Sequence, residues 1–232
     1  EAHLIDGWGT GFRTKFQTLA GALNAWRQDS PAEQAFRTIF LSATYDDSSL
    51  QALQELFCPG SPIPIVSGAR VRPEPEYWVA APSDLGTRAA RVQEALDHLP
   101  RPTILYVTRV ADAQYWFARL HARGYSRLAL VHGGTSADDR EQTLRDWNAG
   151  EIDVVVATSA FGLGIDYPHV RTVIHACLPE TFSRFYQEVG RGGRDGCASV
   201  SLLVPHLDDS TVARSLSAKK TITVRRGIQR WR

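Results

Sequence analysis

The stretch Tyr186-Gln187-Glu188-Val189-Gly190-Arg191-Gly192-Gly193-Arg194-Asp195-Gly196 concentrates the chemistry of this chain. Two arginines three apart, separated by glycines, set two rigid cationic forks where backbone can approach closely. Guanidinium pairs bidentately with phosphate, and two such groups match the charge that develops on a transferred γ-phosphoryl group. A glycine-rich turn with solvent-facing arginines explains the stretch equally well in isolation. Val156-Ala157-Thr158-Ser159-Ala160-Phe161-Gly162-Leu163-Gly164-Ile165-Asp166 brings hydroxyls, glycines and a carboxylate directly after a strand. Its plainer reading is a strand, turn and helix capped by Thr or Ser. Ser42-Ala43-Thr44 ends an earlier run at Leu41 and alone carries no weight. In open α/β sheets ligands bind beyond the carboxyl ends of the strands, and these residues are expected there.

The elements that must position them alternate. Short β-branched runs at 103–107, 128–131, 153–158, 172–176 and 200–204 read as buried strands. Between them, 111–123, 137–147 and 182–189 read as helices, with Trp116, Phe117 and Leu120 turned to a core and Ser136 as an N-cap. This alternation predicts right-handed βαβ units and an α/β fold with a parallel sheet covered on both faces. Ahead of it, the pattern predicts helices at 15–26 and 48–57 and a strand at Thr38–Leu41. Residues 58–82 are broken by Pro59, Pro62, Pro64, Pro73, Pro75 and Pro82 and read as a crossing between domains.

Composition narrows the class. With 43% hydrophobic and 22% charged residues the chain is an ordinary globular one. Its longest apolar run, 152–157 with Asp153 inside it, is far short of the ~20 residues a bilayer requires, so no membrane partner is expected. Cys58, Cys177 and Cys197 form no C-x-x-C pair, which supports neither a disulfide framework nor a zinc site and fits a reducing cytoplasm. The net charge of +1 hides an asymmetry: residues 206–232 carry 7 basic and 2 acidic side chains. The chain has no Met and opens Glu1-Ala2-His3, and the expectation is a fragment whose beginning lies upstream.

In order, Glu1-Ala2-His3, Ser42-Ala43-Thr44, the run 103–108, the stretch Val156 to Asp166 and Gln187 to Arg194 resemble motifs II, III, IV, V and VI of superfamily 2 helicases. The likeness is strongest to the RecQ branch: His3 to Arg13 (HLIDGWGTGFR) resembles its motif II and aromatic-rich loop, and Val131-His132-Gly133-Gly134 resembles its segment after the second strand. The resemblance implies RecA-like domains, ATP and Mg²⁺ as cofactors, single-stranded or forked DNA as partner, and 3′-to-5′ movement. It implies that Glu1 activates the attacking water beside a Mg²⁺-binding Asp just upstream. Arg191 and Arg194 would reach the γ-phosphate, Arg194 as the arginine finger, with Gln187 in the same site and Gly164 and Asp166 near ribose and phosphates. His3, Ser42 and Thr44 would couple nucleotide state to DNA. Trp8 and Phe12 would stack on bases, or simply fill a core. Arg13, Arg109, His132 and Thr158 would meet the strand backbone.

The expected organisation is the end of a first RecA-like domain (1–68), a linker (69–85), a complete second RecA-like domain (86–205) and a basic extension (206–232). No G-x-x-x-x-G-K-[ST] occurs, so the piece alone is expected not to hydrolyse ATP. The tail 205–232 has no cysteine for the four-cysteine RecQ zinc subdomain, so either that subdomain lies elsewhere or this is a RecQ-like relative lacking it, such as one attached to bacterial DNA-modification or phage-defence systems. The expected location is cytoplasmic, with the nucleoid if the source is bacterial. The alternatives are a non-catalytic nucleic-acid-binding or scaffolding domain, and an RNA helicase.

Overall fold

Proline and glycine punctuate this chain around residue 70, and the structure divides there. The computed structural model describes residues 2, 15–31, 36–68, 70–161 and 167–217. They fall into two compact units, one within residues 1–70 and one over residues 71–218.

In the first unit, α1 (Lys15–Asp29) and α2 (Asp47–Phe57) meet around Ala20, Leu53 and Phe57, with the Phe40 ring 4.8 Å from that of Phe57. Asp46 caps α2 by accepting the Ser49 N–H at 2.8 Å, and these hydrogen bonds hold its carboxyl below the usual carboxylate range. Asn24 and Arg27 donate to the last carbonyls of α2, Leu56 O at 3.0 Å and Phe57 O at 3.1 Å. The strand expected at Thr38–Leu41 does not form. Leu41 O accepts the Ala2 N–H at 3.0 Å, but Ile39 and Leu41 are 79% and 73% exposed. Of this segment only Phe40 turns to the core.

The second unit is built on six parallel strands: β1 (Pro75–Val79), β2 (Thr103–Tyr106), β3 (Leu128–Val131), β4 (Val154–Ala157), β5 (Thr172–His175) and β6 (Ser199–Leu203). Their order across the sheet is β1-β6-β5-β2-β4-β3. Every residue of β2, β4 and β5 is buried, as continuous apolar runs in a two-face-covered parallel sheet require. Leu105, Val156 and Ile174 pack with Val92 and Leu96 of α3 (Leu85–His98) and with Trp116 and Leu120 of α4 (Val110–Ala122). On the other face Ile104, Val155 and Val173 pack with Phe161 and with Trp147 of α5 (Ala137–Asn148). Each such Val, Leu or Ile contributes ~1.5–3 kcal/mol by leaving water. Ser136 caps α5 as predicted, accepting the Asp139 N–H at 3.1 Å.

Two expected boundaries change. The linker 69–85 contains β1, which pairs with β6 from Pro75↔Ser199 to Val79↔Leu203. Pro75 is tolerated because it opens an edge strand. The extension also begins inside the fold: α7 (Asp209–Ser217) buries Ala213, and Asp209 pairs with Arg88 of α3 at 3.4 Å. Among the described residues no helix is long and apolar enough to cross a membrane.

Candidate functional site

The arginine-bearing stretch starts on α6 (Phe182–Val189), which Thr181 caps by accepting the Arg184 N–H at 3.1 Å. The loop that follows leads into β6. Gly193 N–H bonds Val170 O at 2.9 Å, Asp195 pairs with Arg171, and both partners stand just ahead of β5. The loop therefore lies at the amino ends of β5 and β6, not at the carboxyl ends where the sequence pattern puts it. The reason is topological: this loop feeds a parallel strand rather than leaving one. It is tightly set. Gly193 has φ +62°, and a Cβ there would stand 2.6 Å from Cys197 O; one at Gly192 would stand 2.9 Å from Ser199 Oγ. The Arg171 guanidinium, with help from His169, holds the Asp195 carboxyl well below the usual carboxylate range.

The two arginines differ. Arg191 is 9% exposed and hydrogen-bonds the Tyr106 hydroxyl, which in turn donates to Phe161 O at 2.9 Å. Burial pushes the Tyr106 hydroxyl far up and the Arg191 guanidinium draws it partly back. Arg194 is exposed, its Nε donating to Gly190 O at 3.1 Å. Gln187 is half-buried on α6, one turn ahead.

Between them lies a polar cluster that sequence reasoning missed. Glu188 is buried; its Oε2 accepts from His175 Nε2 at 3.0 Å and its Oε1 from Arg184 Nε at 3.0 Å. Arg184 Nη2 donates onward to Ser159 O at 2.9 Å. His175 Nδ1 is buried without a partner among the described residues, so the proton is assigned to Nε2. The His175 ring stacks on Tyr106 at 5.3 Å. α6 thus ties the segment after β4 to the arginine loop. The available signal was Glu188 at i+4 from Arg184 on one helix face; its bond to His175 is invisible in one dimension.

The expected strand-contacting residues do come together at the carboxyl ends of neighbouring strands. Arg109 is exposed ahead of α4, after β2. His132 follows β3; its N–H donates to Thr135 Oγ1 at 2.9 Å and its Nδ1 accepts the Gly134 N–H at 3.0 Å. Thr158 follows β4 but is only 5% exposed, its Oγ1 accepting the Ala160 N–H at 3.5 Å within the turn. In the first unit Ser42 Oγ donates to Thr44 O at 2.6 Å and accepts the Thr44 N–H at 3.2 Å, a local hydroxyl turn. Glu1, His3, Trp8, Phe12, Arg13, Gly164 and Asp166 lie outside the described residues.

The glycine-tight loop thus presents the Arg194 guanidinium outward and turns that of Arg191 inward onto Tyr106. Among the described residues no group of three or more His, Cys, Asp or Glu could hold a metal ion. Cys58, Cys177 and Cys197 are free thiols.

Residues 88–196 match the family model of the helicase conserved C-terminal domain. The chain is 30% identical to the probable ATP-dependent DNA helicase RecS of Bacillus subtilis, over 96% of this chain and 43% of RecS. It is 40% identical to ATP-dependent DNA helicase RecQ of the same bacterium, over 49% of this chain and 19% of RecQ. The chain spans less than half the length of these curated relatives. The chain is similar in fold to Saccharomyces cerevisiae Dbp5 solved with RNA and ADP BeF3, at TM-score 0.63 and 17% identity over 86% of this chain and 53% of that one. The C-terminal domain of the DEAD-box protein Dbp5 aligns at TM-score 0.53 and 20% identity, over 62% of this chain and 83% of that domain. The six-stranded sheet is therefore RecA-like, residues 88–196 are a helicase C-terminal domain, and the chain is similar to RecQ-family DNA helicases.

Proposed function

We propose that this chain supplies the arginine side of the ATP site, and part of the strand-binding surface, of an ATP-dependent DNA helicase or single-strand translocase. The observation that carries the reading is the arginine pair on a loop anchored by its glycines, one arginine buried as a latch and the other exposed. ATP, as its Mg²⁺ complex, supplies the phosphoryl group whose transfer to water drives the cycle. Arg194 would stabilise the charge developing on that group, and a group of this kind contributes ~10³–10⁵-fold in rate. Arg191, held on Tyr106, would fix the loop from inside, with Gln187 in the same site. Glu1 would orient the water, Gly164 and Asp166 would stand near the ribose and phosphates, and His3, Ser42 and Thr44 would pass the nucleotide state to the strand.

Arg109 and His132, at the opposite end of the sheet, would follow the phosphates of single-stranded or forked DNA with Arg13, while Trp8 and Phe12 stack on bases. Thr158 would act through the backbone of its turn. Movement would run 3′ to 5′. The names of the relatives support DNA over RNA.

The test uses the full-length protein. ATP hydrolysis should rise with single-stranded DNA, and a duplex with a 3′ tail should open while one with a 5′ tail does not. Stimulation by RNA alone would make it an RNA helicase, and DNA binding without turnover would make it a scaffold.

A further inference from the structure

The arginine loop takes one contact from far away in the sequence. Arg72 stands just ahead of β1, where the chain enters the second unit. Its Nη1 donates to Gly190 O at 3.0 Å and its Nη2 to Gly193 O at 2.8 Å. Its Nε donates to Glu74 Oε2 at 3.1 Å, which fixes the plane of the fork.

The two acceptors have a particular place. The Gly190 carbonyl shares a rigid peptide plane with the Arg191 N–H, and the Gly193 carbonyl shares one with the Arg194 N–H. One planar guanidinium therefore holds both peptide units from which the paired arginines emerge. Gly190 O also receives Arg194 Nε at 3.1 Å, so Arg72 and Arg194 meet on the same oxygen. The loop's other anchors act elsewhere: Val170 O holds the Gly193 N–H, and Arg171 holds Asp195 beyond the second arginine.

We infer that Arg72 is a positioning residue for ATP hydrolysis: it sets the Arg191–Arg194 pair through the two peptide carbonyls that precede them. The inference rests on the reading of Arg194 as the group that meets the γ-phosphate. Its mechanism is orientation, for which a displacement of about 1 Å at a reacting group costs on the order of 100-fold. A lysine cannot reproduce the contact, because one ammonium lacks the fixed fork that spans two carbonyls.

The experiment is a mutant cycle in the full-length protein, reading kcat and KM for DNA-stimulated ATP hydrolysis. Arg72→Ala should lower kcat by about 10- to 100-fold while KM for ATP moves by less than about 3-fold. Arg72→Lys should recover only part of the loss. Adding Arg72→Ala to Arg194→Ala should cost less than about 2-fold more, because the first residue acts through the second. Unchanged kcat in Arg72→Ala, or losses that multiply in the double variant, overturns the inference while the assignment of Arg194 stands. Unchanged kcat in Arg194→Ala overturns both. Should Arg72→Ala not fold, Arg72→Gln, which keeps the stem and one donor group, takes its place in the cycle, and the same kcat results support or overturn the inference.

Discussion

The two ends of the second unit's sheet carry residues of similar chemistry on supports of different kinds. At the amino ends, the loop with Arg191 and Arg194 is held by Arg72, Val170, Arg171 and Tyr106, residues drawn from separate stretches of chain. At the carboxyl ends, the turn with His132 closes on itself through bonds to Gly134 and Thr135, while the Thr158 turn takes a bond from Arg184 at Ser159 O. A loop fixed from several directions resists displacement and keeps a cation where charge develops. A turn that closes on itself, as at His132, can follow a flexible polymer without disturbing the sheet. This difference fits a division of labour between a phosphoryl site and a strand surface. The bridge between them is α6, eight residues long, with Arg184 on the segment after β4 and Glu188 on His175.

The sharpest way to break this comparison is to add one methyl group at each end. Gly193→Ala meets Cys197 O and a left-handed backbone, and should cost about 2–4 kcal/mol and most of the turnover. Gly133→Ala meets open space and should stay within about 0.5 kcal/mol, both read by thermal melting. Equal effects at the two sites would erase the contrast.

The bridge comes next. Glu188→Ala leaves His175 and Arg184 facing a void. Because Arg184 is 36% exposed, the cost should fall below the ~3–5 kcal/mol of a fully buried broken pair, at about 2–3 kcal/mol. That corresponds to a melting point lower by roughly 4–12 °C. A melt unchanged from wild type would mean that α6 does not hold the two ends together.

The smallest effect is with pH. Asp195 has its pKa lowered in the folded chain, so its contribution is complete above the unfolded carboxylate value of about 3.9 and is lost as pH falls through the folded value. Stability of the wild type relative to Asp195→Asn should therefore be flat between pH 6 and 8 and converge below about pH 4. Convergence already near neutrality would contradict the Arg171 anchor.

Much of the fold is legible in one dimension. β2, β4 and β5 announce themselves as buried β-branched runs, and α5 by its Ser136 cap. β1 is hidden because Pro73 and Pro75 look like breakers, although Pro75 only opens an edge strand. Thr38–Leu41 has a strand's composition, yet Ile39 and Leu41 are exposed and only Phe40 packs on the first unit's core. The arginine stretch stands out by its spacing, yet its end of the sheet does not, because which end a loop occupies depends on whether it leaves or feeds a strand. Arg72 and His175 give no signal. Their contacts to Gly190 and Glu188 exist only when the sheet brings those segments together.

The central claim is that the two ends of the sheet do different work, and paired substitutions in the full-length protein test it most directly. Arg194→Ala should lower DNA-stimulated ATP turnover by about 10³-fold or more while single-strand affinity changes by less than about 3-fold. Arg109→Ala should reduce the salt dependence of single-strand binding by about one phosphate contact and leave DNA-independent hydrolysis unchanged. Turnover that survives Arg194→Ala, or that falls with Arg109→Ala in the absence of DNA, would contradict the account.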